Sequence, residues 1–315
     1  MTTWLIAGAT GMVGSSIVRL ANRVGIERVI KVSRQNCDLT NYEETTKFFQ
    51  VNKPNVVIDA AAKVGGILAN STQPVEFLLN NIQIQNNLLK ASHEYGVEKF
   101  VFLSSSCVYP KLALQPIKES YLLTGSLEET NSAYAIAKIS GMRLLQAYRQ
   151  EFNYKWFSVM PTNLYGINDN FSTTTSHVLP AIIRKMHDAK INNLPYVKLW
   201  GSGTPKREFM NVDDFAEAIN LLLQKYDSNE PINIGVGQEI SILDLANLIK
   251  EIVQFDGDIF WDDSKPDGTP RKLLDISKLT SLGFKPKINL ENGIKATYNW
   301  YLEQLEKNPK TLRLD

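Results

Sequence analysis

Short apolar runs alternate with longer amphipathic stretches through the first half of the chain. Trp4–Ala7, Val29–Val32, Val56–Asp59, Phe100–Ser104 and Phe157–Pro161 are close to continuously apolar, the pattern of strands covered on both faces of a parallel sheet. Between them, Met12–Val24, Tyr42–Gln50, Val75–Tyr95 and Ser132–Phe152 carry helical spacing. Strand and helix in alternation predict an α/β fold with a doubly wound Rossmann parallel sheet. After Gly166 the rhythm changes. Asp169–Ser176 is a polar loop, Gly201–Lys206 is rich in turn residues, and so is the stretch Asp262–Arg271, which suits no strand or helix interior. The simplest account is a Rossmann domain from residues 1–166 plus about 208–235, and a smaller C-terminal lobe from about 167–207 plus 236–315.

Composition narrows the classes of partner. Among 315 residues, 43% are apolar and 21% charged, which is ordinary for a globular protein. The 34 Lys and Arg nearly cancel the 33 Asp and Glu, so no global field recruits nucleic acid or a membrane surface, and an anionic ligand must be held by local groups. Two cysteines, Cys37 and Cys107, are too few for a disulfide framework and suit a reducing compartment. With no basic, apolar leader and no spanning run, the expected location is cytoplasmic.

The first chemistry lies in Gly8-Ala-Thr-Gly11-Met-Val-Gly14, between the first strand and the first helix. Glycines there permit a tight turn, close approach of backbone to a pyrophosphate, and helix–strand packing, while the helix N-terminus offers free N–H groups. An ordinary strand-to-helix turn needs one glycine, not three at this spacing. The next strand ends Lys31-Val-Ser33-Arg34. NAD-binding proteins place an acid there for the ribose 2′-hydroxyl; an Arg suits a 2′-phosphate, which it bonds bidentately. The expected cofactor is therefore NADP(H), the alternative for Arg34 being a solvated surface cation. Asp38-Leu39 falls where the adenine ring rests.

A second constellation is Tyr134-Ala-Ile-Ala-Lys138, on a helix with Thr130, Asn131 or Ser132 available as cap. Residues four apart share a helix face. The ammonium is expected to lower the Tyr134 pKa and make the phenol a usable acid or base. Tyr95 and Lys99 have the same spacing, but Gly96 and the strand near Phe100 break any helix between them. Ser104-Ser105-Ser106-Cys107 sits at a strand's carboxyl end, which faces the ligand crevice of such a sheet. A Ser hydroxyl there can bond a substrate carbonyl while Tyr134 supplies the proton; the bland alternative is a polar turn.

Gly8–Gly14, Ser105, Tyr134 and Lys138 together resemble the extended branch of the short-chain dehydrogenase/reductase superfamily. Ala60–Gly66, Ser105–Pro110, Met160–Gly166, Trp200–Pro205 and Lys265–Lys272 make the chain similar, from the first strand to about residue 305, to the GDP-L-fucose synthase family. That resemblance implies 3,5-epimerisation of GDP-4-keto-6-deoxy-D-mannose followed by 4-keto reduction with NADPH. It implies catalytic roles for Ser105, Cys107, Tyr134, Lys138 and His177, with Cys107 and His177 exchanging the sugar's protons. It places the cofactor against Gly8, Thr10, Gly11, Met12, Val13, Gly14, Arg34, Asp38, Leu39, Leu103, Ser104, Lys138, Pro161, Asn163, Leu164 and His177. The GDP-linked sugar then meets Asn163, Val178, Lys185, Trp200, Arg207 and Lys272, and Val75–Tyr95 with Ser132–Phe152 pair across a homodimer. Taken by themselves, Cys107 reads as a small buried hydrophobe and His177 as a surface residue, and Cys37 and His187 keep those descriptions. No Cys/His cluster has zinc-ligand spacing.

This chain departs from the pattern twice: Thr10 replaces a basic residue of the glycine loop, and Lys185 stands where the family often has Arg. Rivals within the enzymes are an epimerase/reductase for another GDP-4-keto sugar, of 6-deoxyheptose or colitose type, a 4,6-dehydratase and a UDP-sugar 4-epimerase. Ser106-Cys107 in place of an Asp-Glu pair disfavours the dehydratase, and Arg34 with Cys107 the UDP-sugar epimerase. A non-catalytic dinucleotide sensor on the same fold would commonly lose the Tyr or Lys that this chain keeps.

Overall fold

The computed structural model describes residues 2–265, 267–309 and 312–314. Met1, Pro266, Lys310, Thr311 and Asp315 lie outside the described residues, and with them one position of the Lys265–Lys272 block and the outer ends of the two expected lobes. Strands β1 (Thr3–Ala7), β2 (Arg28–Val32), β3 (Val56–Asp59), β4 (Lys99–Leu103) and β5 (Phe157–Pro161) alternate with helices α1 (Met12–Arg23), α2 (Tyr42–Asn52), α3 (Ile67–Thr72), α4 (Pro74–Glu94) and α5 (Ser132–Phe152). The chain continues through β6 (Asn163–Tyr165), α6 (Val178–Ile191), β7 (Tyr196–Trp200), β8 (Lys206–Arg207), β9 (Phe209–Asn211), α7 (Val212–Lys225) and β10 (Ile232–Ile234). It ends with β11 (Ile240–Ser241), α8 (Ile242–Val253), β12 (Asp258–Asp262), β13 (Arg271–Lys272), α9 (Ser277–Ser281) and α10 (Leu290–Lys307).

Six strands form one parallel sheet in the order β10-β5-β4-β3-β1-β2. The chain winds outward in both directions from β1, and the crevice at that reversal, beyond the strands' carboxyl ends, is where such sheets bind ligands. β1 and β3 are buried along their whole length, because helices cover both faces; this is why their sequences do not alternate. Edge strand β2 exposes Arg28 and Lys31. On one face Ile6, Ile17, Val101, Phe215 and Ile219 join α1 and α7 to the sheet. On the other, Leu5, Val57, Leu88, Phe100 and Leu145 seat α4 and α5.

A third apolar cluster, with Phe171, Leu179, Ile183, Leu199, Leu245, Ile249 and Tyr301, gathers the elements beyond β6 around α6 and α8. Leu279 and Phe284 return to the first cluster, so α9 packs on the six-stranded sheet rather than in this smaller body. Two backbone ties matter for the site. Ile117 N–H donates to Leu273 O at 2.7 Å and Asp275 N–H to Ile117 O at 2.9 Å. Glu208, fully buried, accepts Leu274 N–H on one carboxylate oxygen and Val236 and Gly237 N–H on the other. These ties bring β13 beside the segment that follows β4.

Candidate active site

The glycine loop connects β1 to α1 and is shaped by backbone crowding. Gly8 has φ +73°, and a Cβ on it would stand 2.6 Å from Ala60 O; one on Gly14 would stand 2.2 Å from Gly8 O. Gly11 is the N-cap of α1 and supplies no side-chain cap, so the N–H groups of Met12, Val13 and Gly14 open the helix without a side-chain acceptor. An uncapped helix N-terminus on a strand-end crevice is chemically suited to a pyrophosphate. Gly14→Ala is expected to lower thermal stability by about 1–3 kcal/mol through overpacking, and to weaken dinucleotide binding; a melting curve and a fluorescence titration of NADPH check both.

Around the loop, Thr10 and Arg34 are exposed and Leu39 is buried, with its side chain in the core. Asp38 is exposed and accepts hydrogen bonds from Thr40. Those bonds, and secondarily Arg34, hold its carboxyl below the usual range. Leu103 and Ser104 are buried at the end of β4, and the Ser104 hydroxyl donates to Met142 Sδ at 2.9 Å. Pro161 closes β5, and Asn163 and Leu164 open β6. Asn163 gives one amide hydrogen to Glu208 O at 2.8 Å.

The strand-end serines and the Tyr–Lys helix do converge. Ser105 caps a single 3₁₀ turn, Ser106–Val108, its Oγ accepting Cys107 N–H at 3.2 Å. The Tyr134 and Ser105 hydroxyls share a hydrogen bond, and the Tyr134 ring meets Phe77 edge-on with centroids 6.3 Å apart. One turn along α5, Lys138 is 3% exposed, with Nζ 4.8 Å from the centroid of the Phe102 ring.

Two expectations need correction here. Tyr134 lies above, not below, its ordinary pKa: burial raises it, Cys107 and Asp59 add to the rise, and the Ser105 hydrogen bond only opposes them. None of Thr130, Asn131 and Ser132 caps α5 through its side chain. Asn131 holds the N-cap position but points its amide at Cys107 Sγ, 3.5 Å away, and Glu128 caps the preceding turn instead.

Cys107 is therefore no buried hydrophobe. It is half-exposed, with the Asn131 amide on one side and Lys272 Nζ at 3.8 Å. The Arg207 guanidinium lies close enough to feel its charge, although burial keeps Arg207 itself below its ordinary pKa. The hollow beside it is lined by Tyr109, Gln115, Glu128, Thr269 and Lys272.

His177 immediately precedes α6, which it does not cap. It keeps exposed surface, and among the described residues no contact joins it to Cys107 or Tyr134; the protein around its ring, with Arg313, holds its pKa below the ordinary imidazole value. Gly66 sets the entry to His177: its N–H donates to Thr175 O at 3.2 Å, and a Cβ there would stand 2.7 Å from Ser176 O.

Farther out, Val178 is exposed on the first turn of α6 and Trp200, at the end of β7, is 48% exposed. Lys185 Nζ stands 5.9 Å from the Trp200 ring and donates to Lys198 O; burial lowers its pKa. Lys265 Nζ approaches the same ring at 5.6 Å. Cys37 is buried as expected, and burial pushes its thiol up to about 11. His187 is not a surface residue: it is 8% exposed, with Nδ1 3.0 Å from the Tyr298 hydroxyl. The α4–β4 turn breaks any helix between Tyr95 and Lys99 as expected, α4 ending at Glu94 and β4 starting at Lys99.

Three residues of the site escaped the sequence pattern: Asn131, Arg313 and Asp59. Asp59 ends β3, is 1% exposed and is drawn toward Lys138. The available signal was an acid closing an otherwise apolar strand, Val56-Val-Ile-Asp59.

A glycine turn on a doubly wound sheet, with Ser105, Tyr134 and Lys138 at its rim, defines a class of dinucleotide-dependent enzyme. The chain belongs to the NAD dependent epimerase/dehydratase family, whose sequence model matches residues 4–235. It is 52% identical over 300 residues to GDP-L-fucose synthase 1 of Arabidopsis thaliana, a match covering 95% of this chain and 93% of that one. Within the family it stands among the GDP-L-fucose synthases. Two solved structures share its fold over nearly the whole chain. A GDP-6-OMe-4-keto-L-xylo-heptose reductase from C. jejuni superposes with TM-score 0.91 at 34% identity, covering 96% of this chain and 98% of that one. A GDP-L-fucose synthetase from Naegleria fowleri bound to NADP gives 0.90 at 32%, covering 99% and 95%.

Proposed function

We propose that this protein is an NADPH-dependent epimerase/reductase that converts GDP-4-keto-6-deoxy-D-mannose to GDP-L-fucose. The observation that carries it is that Tyr134 lies close enough to both Ser105 and Cys107 to be influenced by them, which puts the Ser105–Tyr134–Lys138 group, suited to a ketone, beside Cys107 with its Asn131 and Lys272 neighbours, suited to carbon acids. The uncapped start of α1 fits a pyrophosphate, and Arg34, exposed just after β2, fits a 2′-phosphate. NADPH, held there, supplies the hydride.

The protein's own groups do the rest. Carbons 3 and 5 flank a 4-ketone, so their protons are acidic, and exchange on the two faces of the ring needs a base and an acid. Cys107, with Lys272 Nζ 3.8 Å from its sulfur, takes the proton. His177 returns one; burial and Arg313 hold its pKa below the ordinary imidazole value, which makes its imidazolium a stronger acid than a free one. Ser105 orients the ketone oxygen, and Tyr134 donates the proton that completes the alcohol, with Lys138 stabilising the phenolate that remains. Lys272 and Arg207 face the diphosphate, and Lys185 and Trp200 the nucleoside end. The Rossmann part holds the cofactor and the smaller body the sugar nucleotide, in a cytoplasmic homodimer paired through α4 and α5. Among the described residues no helix is long and apolar enough to cross a membrane.

Incubation with GDP-4-keto-6-deoxymannose and NADPH, with the product identified by NMR, tests this directly. GDP-L-fucose supports it. The likeness to the heptose reductase favours a second reading, a GDP-4-keto-heptose substrate, which the same assay distinguishes by rate. Absence of NADPH consumption with either sugar would leave a dinucleotide sensor. For Arg34→Ala, the preference for NADPH over NADH should fall by roughly 10- to 100-fold, as loss of a charge-assisted phosphate contact dictates. Parallel KM measurements with the two cofactors check it, and an unchanged ratio assigns the 2′-phosphate elsewhere.

A further inference from the structure

Asp59 has no part in the chemistry derived above, yet its placement is unusual. It closes β3 next to Phe102 of β4 in the sheet register. That Phe102 ring is the surface on which Lys138 Nζ rests, 4.8 Å from its centroid. One Asp59 oxygen accepts Ala61 N–H at 3.1 Å; the other is buried with no hydrogen-bond partner. A buried carboxylate with a bare oxygen is costly unless a charge compensates it. Lys138, 3% exposed on α5, is the cation that does so. Tyr134, one turn up α5, feels the charge of Asp59, and Cys107, on the turn after β4, in turn acts on Tyr134. α4, packed along α5, presents uncharged Phe77 to Tyr134 and Gln85 to the Ala137 carbonyl.

We propose that Asp59 is a positioning residue that keeps Lys138 charged and directed at the Tyr134 hydroxyl, so that the lysine's ammonium persists at the pH where the phenol must act. The proposal rests on the function given above and deepens it. Burial alone drives a lysine toward the neutral amine, and only Asp59 opposes that drift at Lys138. A neutral Lys138 would leave Tyr134 without the charge that makes it a competent acid.

The test is Asp59→Asn, which keeps the shape and the bond to Ala61 N–H but removes the charge. Asp59→Leu, which leaves no polar group to bury, serves if the Asn variant does not fold. Two profiles are measured from pH 6 to 10: kcat for NADPH oxidation and the Kd of NADPH by fluorescence. The expected result is a downward shift of about one pH unit or more in the alkaline limb of both, with kcat recovering toward the parent value at the acid end. A purely structural role would lower the melting temperature or depress kcat evenly across pH. An unmoved limb in a folded variant, whatever its rate, overturns the proposal. Should the parent enzyme fail to oxidise NADPH with the 4-keto sugar, the functional assignment fails separately, and the Kd profile alone decides the role of Asp59.

Discussion

NADPH oxidation by Tyr134→Phe is expected to fall by roughly 100- to 10,000-fold, the span of a lost general acid, while the sugar continues to exchange protons with solvent. The substitution removes one hydroxyl. Its ring keeps the edge contact with Phe77, and only the hydrogen bond to Ser105 disappears, so the fold and the Cys107 side of the pocket are left intact. Stopped-flow absorbance of NADPH beside NMR of deuterium incorporation separates the two steps. Undiminished oxidation would remove Tyr134 from the role of proton donor.

The complementary result is expected for Cys107→Ser: loss of deuterium uptake at carbons 3 and 5 by about 100-fold or more. A serine hydroxyl can occupy the place between Asn131 and Lys272 but is far less readily ionised than a thiol. Product formation from the 4-keto sugar should fall with it, while direct reduction of the unepimerised ketone by NADPH survives. Normal exchange at both carbons in heavy water would assign the base to another group.

The Rossmann sheet was visible in the sequence because its signal is local. Trp4–Ala7, Val29–Val32, Val56–Asp59, Phe100–Ser104 and Phe157–Pro161 match five of the six strands within a residue or so, β10 being missed, since strands buried on both faces must be apolar throughout. Glycines forced by close contact, Gly8 and Gly14, were legible for the same reason. The smaller body was harder. β8, β11 and β13 are two residues each, too short for any period to show, and they are held by distant partners. Pairings such as Lys272 with Cys107, 165 positions apart, have no local signature. The resemblance singled out each residue without showing that they meet. Electrostatics was the least legible: the sign of the Tyr134 shift depends on how deeply the phenol sits and on Asp59, neither of which spacing reveals. The burial of His187 likewise follows from Tyr298 and Tyr301 of α10 covering it.

The ties through Ile117 and Glu208 have a consequence for how firmly the site is held. Lys272 lies on β13, at the far end of the sequence, yet Leu273, Leu274 and Asp275 are zipped to residues 115–117 and to Glu208. The thiol and its ammonium partner therefore form a finished wall. His177, by contrast, follows a polar loop fastened only at Gly66 and Asn170 through Thr175. In the function proposed above, the proton-taking side of the site is thus the one fixed by backbone bonds.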